Sequence, residues 1–114
     1  MSPFERALQA LAGAGIPVYR PGEAVGPCRQ AYLVVFDGGV APRTRATAER
    51  LVGISAFVPL GRQAELEPLI REVARRLTEI GLKPRGSAGP ETIDEGFKAH
   101  VQTTEFTALC AQGR

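Results

Sequence analysis

The chain has 114 residues, 44% hydrophobic and 23% charged, a composition that suits one domain with a modest core. Its formal net charge of +2 supplies no general pull toward nucleic acid or membrane. No run approaches the roughly 20 apolar residues that span a bilayer, and no basic segment leads into a long apolar one at the start. Neither a membrane-spanning helix nor a secretory leader is therefore expected.

The first predicted element is a short helix. Ser2-Pro3-Phe4-Glu5 reads as a capping box with proline at the first helical position. Phe4, Leu8, Leu11 and Ala12 follow at helical spacing, and Gly13 and Gly15 stop the run. Ile16-Pro17-Val18-Tyr19 is a short strand that Pro17 confines to an edge or a strand start. Residues 20–30, with Pro21, Gly22, Gly26 and Pro27, read as a loop. Ala31 to Phe36 is an apolar run of strand formers, closed by a turn signal at Asp37-Gly38-Gly39.

Leu51 to Leu60 is the next strand, with Val52, Ile54, Ala56 and Val58 on one face. Pairing it with 31–36 implies a hairpin whose connection exceeds ten residues, a length usually kept for function. The main helix runs from about Arg62 to Ile80, with Leu66, Leu69, Ile70, Val73, Leu77 and Ile80 as its apolar stripe. Pro68 pins its start near Ala64 or Glu65, because the first four helical residues need no intrahelical amide partner. Glu72 and Arg76 form a favourable i,i+4 pair, and Gly81 ends the helix. Residues 83–94 read as a second loop. The last strand region is 97–109, where the apolar parity changes between Phe97/Ala99/Val101 and Phe106/Ala108. A bulge, a bend or two strands in series near Thr103–Thr104 would account for that change.

Strand and helix do not alternate, so a doubly wound parallel sheet is not expected. The fold class predicted is α+β: a single domain over 1–114, with a mostly antiparallel sheet of about four to five strands and two helices on one face.

The search for chemistry finds little. His100 is the one histidine, and no sequence pattern supplies it with an orienting carboxylate and a nucleophile. Two isolated cysteines, Cys28 and Cys110, have no metal-ligand spacing. With no leader, both are expected as free thiols, a disulfide joining the ends of the domain being the alternative. Asp94-Glu95 reads as a solvated acidic turn, since a hard-cation site wants six or more oxygens. No phosphate-binding glycine loop is present, because no helix opens after Asp37-Gly38-Gly39. Arg43, Arg45 and Arg50 could meet phosphates, but no aromatic residues are interleaved to stack bases. No enzyme activity, cofactor or metal is expected.

Three segments in order resemble a family of small phage tail proteins from the head–tail morphogenesis cassette. They are Leu51-Val-Gly-Ile-Ser-Ala-Phe-Val-Pro-Leu60, the helix opening Gln63-Ala-Glu-Leu-Glu-Pro-Leu-Ile70, and the loop and strand from Lys83-Pro-Arg-Gly to Lys98-Ala-His-Val101. Similar family members show a strand ending in Val-Pro-Leu or Val-Pro-Tyr, a Leu-Glu-Pro helix start, and a Pro-x-Gly loop before an acidic turn and a strand of the form Lys-Ala/Gly-His/Tyr-Met/Val. The N-terminal half matches in layout alone. Gly53, Ser55 and Ala56 are small where members often carry an acidic or aromatic residue.

The resemblance implies a tail terminator or tail completion subunit that forms rings, a hexamer among the sizes, at the tail tube or head–tail junction. Its partners would be copies of itself, the tail tube protein and the connector, in the virion tail and, during assembly, the host cytoplasm. Arg43, Arg45 and Arg50 against Glu91, Asp94 and Glu95 are the candidate head-to-tail patches. A head-closure subunit of the same cassette is the nearest alternative, and a small nucleic-acid-binding regulatory domain the more distant one.

Overall fold

The computed structural model describes residues 2–44 and 47–111, with the backbone alone for Cys110 and Ala111. Helix α1, Pro3–Ala12, opens as its sequence dictates: the Ser2 hydroxyl accepts the Glu5 amide at 3.2 Å. Six strands follow: β1 Val18–Tyr19, β2 Tyr32–Pro42, β3 Thr47–Pro59, β4 Lys83–Pro84, β5 Thr92–Asp94 and β6 Ala99–Ala111. They form one sheet in the order β1-β2-β3-β6-β4, with β5 also on β6. Only β1–β2 is parallel. A 3₁₀ turn, Gln63–Glu65, leads into α2, Leu66–Glu79, so Pro68 falls third in that helix, where no amide is missed.

The fold is α+β, as expected, but several boundaries move. Asp37-Gly38-Gly39 is a bulge inside β2 rather than a turn. Asp37 Oδ1 accepts the Gly39 amide at 2.9 Å, and Gly39 has φ 86°, so the strand absorbs an extra residue and continues to Pro42. β3 likewise begins at Thr47. The long hairpin connection shrinks to residues 43–46, closed where the Arg43 and Thr44 amides both donate to the Thr47 carbonyl at 3.1 Å. The polar residues of this stretch belong to strands because the hairpin projects beyond the core.

Residues 83–94 are an edge strap more than a loop. β4 and β5 pair with opposite ends of β6, and between them the Arg85 and Gly89 amides donate to Glu105 and Thr103 carbonyls at 2.8 Å each. Prolines 84 and 90 with glycines 86 and 89 break it into short pieces, a common way to blunt a sheet edge.

No bulge interrupts β6 against β3: the register runs unbroken from Thr47↔Ala111 to Pro59↔Ala99. The parity change in the sequence has another cause, for the sheet is apolar on different faces at its two ends. Phe106 and Ala108 face the helices with Leu33, Val35, Val52, Ile54, Ala56 and Val58. Leu11 of α1 and Leu66, Val73 and Leu77 of α2 close that main core. Ala99 and Val101 face the other way, into a smaller cluster with Cys28, Tyr32 and Phe57. There the 20–31 loop folds over the sheet, and the rings Tyr19, Tyr32, Phe57 and Phe97 touch in series, with Tyr32 and Phe57 stacked at 4.7 Å.

The two helices lie antiparallel on one face and cap each other. Arg76 Nη1 donates to the Ala10 carbonyl at 3.2 Å, and Arg6 donates to the Ile80 carbonyl. Each arginine thus satisfies a carbonyl that its neighbour's last turn leaves open.

Candidate interaction surfaces

The residues singled out in the sequence separate into two groups at opposite ends of the sheet. Arg50 pairs in register with Ala108 of β6, whereas Asp94 pairs with Ala99. Nine strand positions divide them, about 30 Å at the usual rise. The principal-axis extents of 47 × 25 × 23 Å run long in the same sense. Basic and acidic patches therefore cannot neutralise each other within one copy.

Each group has partners nearer by. Arg43 meets Glu49 at 3.5 Å and Arg50 meets Asp37 at 3.2 Å. Arg85 of the strap joins this end at 3.9 Å from Glu49 and 3.7 Å from Glu105. Arg45 lies outside the described residues. At the other end, Asp94 Oδ1 accepts the Phe97 amide at 3.0 Å and closes the turn into β6, and Glu95 stands exposed on that turn. Exposed ion pairs are worth about 0–1 kcal/mol each, so exchanging them for a neighbour's charges costs little.

Glu91 occupies a different setting from Asp94 and Glu95. Its Oε2 accepts from Gln63 Nε2 at 2.6 Å and lies 3.3 Å from His100 Nδ1. His100 is 9% exposed and points to the helix side of the sheet, opposite Val58. Its Nδ1 is buried without a well-formed hydrogen bond. Gln102, next along the same face, donates to the Gly89 carbonyl at 2.9 Å. The sequence reading missed this carboxylate beside His100, since nine residues and a turn separate the two. The cluster ties the strap to the 3₁₀ turn before α2.

Cys28 is buried under the loop, its Sγ 3.2 Å from the Gln30 carbonyl. Burial pushes its thiol pKa up, against smaller lowering influences from that carbonyl contact and from Arg62. A protonated thiol is a poor nucleophile. Cys110 sits on β6 eleven residues beyond Ala99, at the far end of the molecule, so its pairing with Cys28 is not made. Tyr32 is likewise pushed up to about 12, first by burial and then by Cys28, Asp94 and Tyr19 nearby. An open hollow of about 400 Å³ under the loop is bordered by Tyr19, Glu23, Cys28, Arg29 and Tyr32. Cys28 and Tyr32 on its wall are thus both held in their neutral forms near pH 7.

Among the described residues no three metal-ligating side chains gather, and no helix is long and apolar enough to cross a membrane. Comparison with known protein families finds no family model that matches the chain, and no curated protein matches it either.

Proposed function

We propose that this chain is a structural subunit of a phage or prophage tail. Its role is that of a terminator or completion protein, assembled as a ring at the end of the tail tube or at the head–tail junction. The observation that carries the reading is how the three family-like segments sit together. The first, 51–60, runs along β3 to Pro59, and its Phe57, Val58 and Pro59 pair with Val101, His100 and Ala99, the end of the third. The second, 63–70, opens α2 and is tied to the third by the Gln63–Glu91 hydrogen bond. Segments that resemble one family in order also build one continuous unit of the fold.

The charged ends support the same reading. One end carries Arg43, Arg50 and Arg85 paired with Glu49, Asp37 and Glu105, and the other, about 30 Å away, carries Asp94 and Glu95; these are two different patches, which head-to-tail contacts require. The test is electron microscopy of tails assembled without this chain. Overlong or frayed tubes are expected, restored to uniform length by the natural protein and not by a chain carrying Arg43→Glu and Arg45→Glu. Tubes of normal length in its absence remove the terminator role. Full restoration by the charge-reversed chain removes the arginine patch from the contact.

A further inference from the structure

We infer that the hollow under the 20–31 loop is a binding site for a small, flat, uncharged ligand with a hydrogen-bond acceptor, of the chemical class of aromatic amides. The site goes beyond the ring reading and does not depend on it. Its wall holds one group that the fold leaves unspent. Tyr32 is 6% exposed, yet no described residue hydrogen-bonds its hydroxyl. That oxygen is not sealed from solvent, unlike His100 Nδ1, and Tyr32 borders the hollow, so the hydroxyl opens into it. A hydroxyl held this deep costs stability unless something hydrogen-bonds it.

The walls of the hollow are fixed by contacts the loop makes with itself and with the sheet. Gly22 and Gly26, at φ 84° and 78°, bend the loop back over the strands. The Cys28 amide donates to the Phe97 carbonyl at 2.6 Å, and the Glu23 amide donates to the Arg20 carbonyl at 3.1 Å. The Cys28 thiol donates to the Gln30 carbonyl at 3.2 Å. The Tyr32 ring is fixed by the Phe57 ring, stacked at 4.7 Å, and by the edge-on Tyr19 ring at 5.3 Å. Walls set in advance lower the ordering cost of binding. A volume of about 400 Å³ falls within the range of small-ligand sites, and two tyrosine rings on the wall suit a flat ring.

The class of the occupant follows from what the wall offers. The thiol is spent on Gln30, so the free donor is the Tyr32 hydroxyl, which calls for an acceptor such as a carbonyl oxygen. Charge is disfavoured in both signs. Asp94 lies close enough to push the Tyr32 pKa up, so an anion on the hydroxyl would face a carboxylate. Arg62 lies close enough to act the other way on Cys28, and Arg29 stands exposed at the rim, so a cation would face guanidinium groups. The rim carboxylate of Glu23 already accepts the Arg20 amide. An uncharged amide meets neither repulsion.

Titration of the natural chain with benzamide, followed by amide NMR shifts, tests it. Saturable shifts are expected within residues 23–32. Benzoate and benzylammonium, the same ring carrying either charge, should bind several-fold more weakly. Tyr32→Phe keeps the ring and its stack on Phe57 but removes the hydroxyl, and should weaken benzamide about tenfold. The charge series is read on the natural chain alone, so it stands whatever Tyr32→Phe does to folding. No saturable shift in the loop up to about 10 mM benzamide overturns the site. Equal binding by a folded Tyr32→Phe chain overturns it too, leaving water as the partner of the hydroxyl. Benzoate or benzylammonium binding as tightly as benzamide overturns the uncharged class.

Discussion

Gly53 faces Phe36 across the β2–β3 pair, and a Cβ at Gly53 would lie 2.0 Å from the ring Cζ. The ring covers the glycine on the face away from the helices and supplies the side-chain surface that the glycine lacks. Gly53→Ala forces the ring off, and we expect a loss of about 1–3 kcal/mol in urea unfolding. In a Phe36→Ala background the same substitution should be close to neutral. An equal cost in both backgrounds would show that the backbone, rather than the ring, demands glycine. At this scale the sequence marked Gly53 only as unusually small among its neighbours. It said nothing of Glu91 beside His100, because their approach depends on a turn and a strand pairing that no local spacing encodes.

At the scale of elements, α2 shows how far local pattern reaches. Its apolar stripe and its stop before Gly81 were legible, as was a start pinned by Pro68, expected near Ala64 or Glu65 and found at Leu66, and so was the Glu72–Arg76 pair, found at 2.8 Å. Arg75 adds a second partner to Glu72 at 2.7 Å. Hydrogen bonds from Arg75, then Arg76, hold the Glu72 carboxyl at about 2 against its ordinary 4.5. A carboxylate with a lowered folded pKa stabilises above the unfolded value and loses that contribution as pH falls through the folded one. The natural protein should therefore lose its thermal advantage over Glu72→Gln between about pH 4.5 and 2. A gap between the two melting curves that stays constant from pH 6 to 2 would assign the effect to packing instead. The strands were less legible. Thr47, Glu49 and Arg50 are polar, yet with buried Ala48 they continue β3, because the ladders to β2 and β6 hold this end of the hairpin. The strap at 83–94 reads as a loop since its pairing to β6 is made by backbone amides, which carry no side-chain signature.

At the scale of the whole molecule, the described residues form two apolar clusters, one on each face of one sheet. β3 and β6 contribute to both: Val52 and Phe106 to the cluster under the helices, Phe57 and Ala99 to the one under the 20–31 loop. Losing either cluster exposes strands on which the other depends. We expect tyrosine fluorescence, which reports the smaller cluster through Tyr19 and Tyr32, to unfold with the same midpoint as far-ultraviolet circular dichroism. An earlier fluorescence transition would make the loop and its cluster a separately melting unit.

The amino-acid pattern alone determined the α+β class, both helices with their buried stripes and the inward face of β3. These rest on periodicity, capping and residue chemistry, all local in the chain. Tertiary structure decided the rest: that a glycine-rich turn signal is a bulge, that a parity change is a second apolar face, and that Glu91 reaches His100. It also decided which strand edges are left unpaired, because pairing and edge exposure arise from contacts between distant segments.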